Sequence, residues 1–113
     1  MVFTERPEFA REYAKLRKRF LSLDKDFAKM QKVLALFPKG PGSKHWNTLH
    51  QSEGVMILKT RMSCAYLRRG TLRIVYAYLS VKNHIDFIEI YFKGNKGNED
   101  SKRIKDYLNK DKG

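Results

Sequence analysis

The chain has 113 residues, 42% of them apolar and 12% aromatic, which fits one globular domain and excludes two ordinary ones or a disordered polymer. Lys and Arg number 24 against 12 Asp and Glu, for a net charge of +12 and a sequence pI of about 10.0. That balance favours a polyanionic partner, nucleic acid first, through phosphate contacts and counterion release.

A single cysteine, Cys64, rules out an internal disulfide or a cysteine metal cluster and suits a reducing compartment. No apolar run approaches the roughly 18 residues that a spanning helix needs. The N-terminal MVFTERPEFAREY is too charged for a secretory signal. The expectation is a soluble cytoplasmic protein that makes no use of a membrane.

In chain order, residues 2–4 (VFT) read as a short strand ahead of Pro7, which suits the first turn of a helix. Phe9, Tyr13, Leu16 and Phe20 then form one apolar stripe at helical spacing. Ser22 reads as a cap, and Leu23, Phe27, Met30, Val33, Leu34 and Phe37 make a second stripe that stops at Pro38. Residues 39–54 (KGPGSKHWNTLHQSEG) read as a loop with a turn of helix at its centre. VMILKTRM (55–62), LRIVYAYL (72–79) and HIDFIEIYF (84–92) are short and rich in β-branched and aromatic residues, so they read as strands. SVKN between the last two fits a tight hairpin. Asn98 is the expected cap of a last helix, with Glu99 and Asp100 at its positive end and Ile104, Tyr107 and Leu108 on its apolar face. The predicted order is βααβββα. It describes one α+β domain over residues 1–113, with a helical hairpin and a C-terminal helix packed on a mainly antiparallel four-stranded sheet.

Strand parity then sorts the side chains. One face carries Met56, Leu58, Met62, Ile74, Tyr76, Tyr78, Ile88, Ile90 and Phe92 under the helices. Lys59, Arg61, Arg73, Tyr91 and Lys93 line the other, open face, together with Glu89. A meander puts the start of the middle strand beside the end of the last one, so Arg73 meets Tyr91 and Lys93. Arg61 joins them if residues 64–71 form a long loop, the arrangement favoured here. An arginine at the mouth of a half-buried strand is costly without a partner or a task. Glu89, on the same face, is the alternative structural partner.

These pieces, ILKTRM, the glycine followed by LRIVYAY, and FIEIYFKGNKGNEDSKRIKDYL, together resemble the RelE/ParE toxin superfamily over most of the chain. The resemblance is clearest from His45 to Leu108. It implies a toxin neutralised by a cognate antitoxin. In the favoured RelE-like branch it implies an endoribonuclease that cuts mRNA in the ribosomal decoding site. In the ParE-like branch it implies a DNA gyrase inhibitor on nearly the same fold. The third reading is an inactive basic binding domain.

Metal-free RNA cleavage requires the 2′-hydroxyl to attack its own 3′-phosphate, with charge stabilised on the phosphorane and two protons moved. By the resemblance, Arg73 is the phosphate-stabilising residue, and Lys59 and Arg61 are the basic pair of the preceding strand. Tyr91 and Lys93 stand where the family places a tyrosine, histidine or basic group. Neighbouring cations are expected to lower the pKa of Lys59. Lys96 stands where relatives carry a second arginine. Arg68 and Arg69 are candidates for rRNA or antitoxin contact, and Trp46 either stacks on a base or anchors its loop. His45 and His50 read as structural or solvent-facing and Cys64 as inert. No metal or cofactor is expected, and the partners are the antitoxin, mRNA and the ribosome.

Overall fold

The computed structural model describes residues 1–68 and 70–110. It is built from β1 (Val2–Glu5), α1 (Pro7–Arg19), α2 (Leu23–Leu36), β2 (Trp46–Ser52), β3 (Val55–Ser63), a 3-10 turn (Ala65–Leu67), β4 (Thr71–Leu79), β5 (His84–Phe92) and α3 (Ser101–Lys110). The strands form one five-stranded sheet in the order β1-β5-β4-β3-β2. β1 runs parallel to β5, and the other pairs are antiparallel. The sheet is therefore five-stranded and mixed rather than four-stranded, because part of the expected 39–54 loop is the edge strand β2.

Pro7 opens α1, as its fixed φ and missing N–H allow. The helix ends at Phe20, whose N–H bonds Leu16 O at 2.7 Å. Its stripe and that of α2 bury Phe9, Leu16, Phe20, Leu23, Phe27, Met30 and Leu34 against Leu58, Met62, Leu72, Ile74, Tyr76, Phe87 and Ile90. Phe9, Phe27 and Phe87 pack ring on ring at 4.9 to 5.7 Å between centroids. Ser22 stands at the N-cap position of α2 without a capping bond. Its hydroxyl instead donates to Asp26 Oδ2 at 2.7 Å and accepts the Tyr66 N–H at 2.9 Å. Asp26 Oδ2 also accepts the Ala65 N–H at 3.2 Å, so the β3–β4 loop is stapled to the start of α2.

The second face of the sheet is not wholly open. Ile57, Val75, Ala77 and Ile88 are covered by α3 through Tyr107, Ile104 and Leu108. The three helices thus divide between the two faces. A bulge in β5 makes this second core: Val75 pairs with Glu89 and Tyr76 with Phe87, leaving Ile88 as the extra residue. Ile88 joins the α3 side and Phe87 and Ile90 the other, so simple alternation misplaces Ile88. Asp100, not Asn98, caps α3, its Oδ1 accepting the Arg103 N–H at 3.1 Å. Beyond the end of β1, side chains cover the edge of β5. Arg103 Nη1 donates to Ile88 O at 3.1 Å, and Glu12 accepts the Ile90 N–H at 3.3 Å. The same two side chains clasp each other at 2.8 and 3.0 Å. No helix among the described residues is long and apolar enough to cross a membrane.

Candidate functional site

Register brings three strands' functional residues into one row. Arg61 on β3 pairs with Arg73 on β4, and Arg73 pairs with Tyr91 on β5. This register needs the seven-residue connection 64–70, which the 3-10 turn and its staple to α2 provide. One row further in, Asn47 pairs with Lys59, Lys59 with Val75, and Val75 with Glu89. α3 covers the inner rows; at the sheet end Arg61 is exposed and Arg73 half-buried, while Tyr91 is buried. There Lys59, Arg61, Arg73, Tyr91 and Lys93, with His45, Asn47 and Asn98, surround a shallow cavity of about 90 Å³. That is well below the roughly 300 Å³ at which small-molecule pockets begin, a size that suits a single anionic group better than a whole nucleotide. Two larger cavities, of about 280 and 460 Å³, lie along α3 and mix acidic, basic and apolar groups.

Arg73 is half-buried, and its Nη1 donates to both the carbonyl (3.5 Å) and the hydroxyl of Thr71. Thr71 sets the direction of the fork. Among the described residues no carboxylate pairs with Arg73, Arg61 or Lys93. Glu89, the structural partner that the sequence offered for Arg73, is engaged elsewhere. It is fully buried, and it accepts Lys96 Nζ and, at 2.9 Å, the Asp100 N–H.

Lys59 is held by a carboxylate that parity did not reveal, Glu99 Oε1 at 2.6 Å, with both side chains about four-fifths buried. The cations near Lys59 are thus not alone. The Glu99 carboxyl is pulled below its ordinary range, first by the hydrogen bond from Lys59, against burial. Tyr91 is 6% exposed. Its hydroxyl is pushed above the ordinary tyrosine value chiefly by burial and then by Glu99 and Glu89, with Arg73 opposing.

The residues expected to contact RNA separate. Arg68 is exposed at the loop tip, with φ at +56°; Arg69 lies outside the described residues. Lys96 is committed to Glu89 and sits over the Tyr91 ring, 5.4 Å from its centroid. Trp46 points to the helix side, packs against the main core and donates its indole N–H to Tyr76 Oη at 3.1 Å, so it anchors β2 rather than presenting a free stacking surface. Glu99 and Asn47 are the site residues that sequence reasoning missed. Asn47 follows from β2, and the acidic pair before α3 was the available signal for Glu99.

Neither a protein-family model nor a curated protein sequence matches the chain. In three dimensions it is similar to the crystal structure of an archaeal RelE–RelB complex from Pyrococcus horikoshii OT3. The TM-score is 0.60 at 15% identity, over 82% of this chain and 94% of that one. The chain therefore has a RelE-like fold.

Proposed function

From a RelE-like fold whose sheet end gathers Lys59, Arg61, Arg73 and Lys93, of which only Lys59 has a carboxylate partner among the described residues, we propose that this 113-residue chain acts as the toxin of a type II toxin–antitoxin pair. Its activity is cleavage of mRNA, with the ribosome aligning the message, and the favoured route needs no metal. The observation that carries this reading is the row Arg61–Arg73–Tyr91. Two guanidiniums that have no carboxylate partner among the described residues, that of Arg73 oriented by Thr71, lie beside a phenol that stays protonated at neutral pH.

In this mechanism the scissile phosphate sits on Arg73 and Arg61, whose forks match its non-bridging oxygens and stabilise the charge of the phosphorane. The ribose 2′-oxygen forms a bond to phosphorus, losing its proton to water. The bond from phosphorus to the 5′-oxygen breaks, and the leaving oxygen takes a proton from Tyr91. The products are a 2′,3′-cyclic phosphate and a 5′-hydroxyl. Lys59 and Lys93 hold flanking phosphates, and Arg68 contacts RNA beside the site. The natural partner is an antitoxin whose acidic or amphipathic segment covers this basic face and stops cleavage.

Induced expression followed by primer extension of cellular messages tests the reading. Cut messages with the wild type, and intact ones with a folded Arg73→Ala variant, are expected. Growth arrest with intact messages and damaged DNA would instead identify a ParE-like gyrase inhibitor.

A further inference from the structure

The same end of the sheet carries a second cluster on its other face. Leu72 and Phe92 pair one position along from Arg73 and Tyr91, and Phe92 packs edge-on against Phe20 with centroids 5.5 Å apart. The Arg19 guanidinium lies over both rings, 5.1 Å from Phe20 and 5.3 Å from Phe92. Tyr66 meets the far side of Phe20 at 6.3 Å and remains 55% exposed. An exposed aromatic on a loop is ordinarily mobile, but this loop is not free: the Tyr66 and Ala65 N–H groups are held by Ser22 and Asp26. Arg68 stands two residues on, also exposed. Among the described residues neither Arg19 nor Arg68 has a carboxylate partner. Gly94 lets the chain turn tightly over the Phe92 ring, since a Cβ there would lie 2.5 Å from it.

We propose that Tyr66, flanked by Arg19 and Arg68, is a nucleotide subsite: one base of single-stranded RNA stacks on the phenol ring while the guanidiniums take the adjoining phosphates. The subsite rests on the ribonuclease reading above and extends it, carrying a strand from the Arg73 face over the sheet end. An exposed ring on an anchored backbone, between cations with no carboxylate partner among the described residues, fits a stacked base and its phosphate backbone. An acidic protein segment would use the cations and leave the ring without a matching partner.

The test is fluorescence anisotropy of a labelled, mixed-sequence 2′-O-methyl oligonucleotide, which cannot be cut, with the intact chain at fixed salt. Tyr66→Ala is expected to weaken binding by about 5- to 150-fold, the worth of one stacked base, and Tyr66→Phe to stay close to wild type. Arg19→Met, which keeps the apolar stem, is expected to lower the salt slope by roughly 0.7. Unchanged unfolding midpoints confirm that these variants fold. If the wild type binds, Arg73→Ala weakens binding and Tyr66→Ala does not, the subsite is overturned and the cleavage reading stands. If the wild type binds no oligonucleotide, the subsite is overturned, while the cleavage reading is decided separately by primer extension. A Tyr66→Ala defect confined to association with a protein partner also overturns the subsite.

Discussion

Arg61 and Arg73 face one another directly across β3 and β4, and among the described residues no carboxylate pairs with either. Like charges in directly opposed positions destabilise a sheet by a few tenths to about 1 kcal/mol. A bound phosphate offsets that repulsion, so the pair is more stable with an anion than without one. Neutralising one member, as in Arg61→Gln, is expected to raise the thermal midpoint by a few degrees at low ionic strength. Added phosphate should raise the wild-type midpoint more than the variant's. On cleavage the sign reverses: Arg73→Ala is expected to lose about 100-fold or more. Thermal melts with and without phosphate, set beside single-turnover cleavage, check both directions.

The Lys59–Glu99 pair predicts a pH dependence. The Glu99 carboxyl titrates below its ordinary value in the folded protein, so the folded state binds fewer protons than the unfolded one as acid is added. Its contribution is complete above the usual glutamate value of about 4.3 and is lost as pH falls through the lowered folded value. Glu99→Gln should therefore lie below wild type in stability at neutral pH and converge with it in acid. The variant also frees the Lys59 ammonium and should bind oligonucleotide several-fold more tightly. Denaturant melts between pH 2 and 7 and a binding titration measure the two effects.

Tyr91 is predicted to give a proton rather than take one. Burial raises its pKa above the ordinary 10.0, so it stays neutral across the physiological range. Tyr91→Phe is expected to slow cleavage by about 10²- to 10⁴-fold with little change in oligonucleotide binding. The wild-type rate should show no decline assignable to Tyr91 below about pH 10, and a rate that rises with pH in a limb that Tyr91→Phe abolishes would mark a base and refute the role.

Glu89 ties the approach to α3 onto the sheet through Lys96 and the Asp100 N–H. Glu89→Ala removes two charge-assisted bonds from a fully buried position and is expected to cost about 2–4 kcal/mol. Lys96→Met leaves the carboxylate without its cation and should also destabilise. Both variants loosen the residues that present Glu99, so the acid-range signature of the Lys59–Glu99 pair should weaken with them. Urea unfolding at pH 7 and pH 3 reads both effects.

The strands at 55–63, 71–79 and 84–92 could be read almost to the residue, because they are apolar runs bounded by turn residues. So could the row joining Arg73 to Tyr91, which follows from any meander of the right register. β2 could not. Its WNTLHQS has one solvated face and no β-branched run, and only its pairing with β3 makes it a strand. The turn at Glu53–Gly54, with Gly54 at φ +77°, was the local signal for that hairpin. The Ile88 bulge leaves no mark in the alternation of HIDFIEIYF, and it moves one isoleucine to the opposite core. The face taken by α3 follows from Ile57, Val75 and Ala77, apolar residues that required a cover, not from the helix's own stripe. Glu99 was legible as an acidic residue before a helix, but its partner could be known only once α3 crossed the sheet.

The parallel pairing of Val2–Glu5 with residues 84–87 bears on how the molecule comes into being. β1 must wait for β5, the last strand in this sheet's chain order, before it has anything to bond to, and Glu89 and Tyr91 arrive with that same late strand. Long-range closure of this kind slows folding. It also means that a product terminated before β5 would lack both the finished sheet and the Tyr91 member of the row.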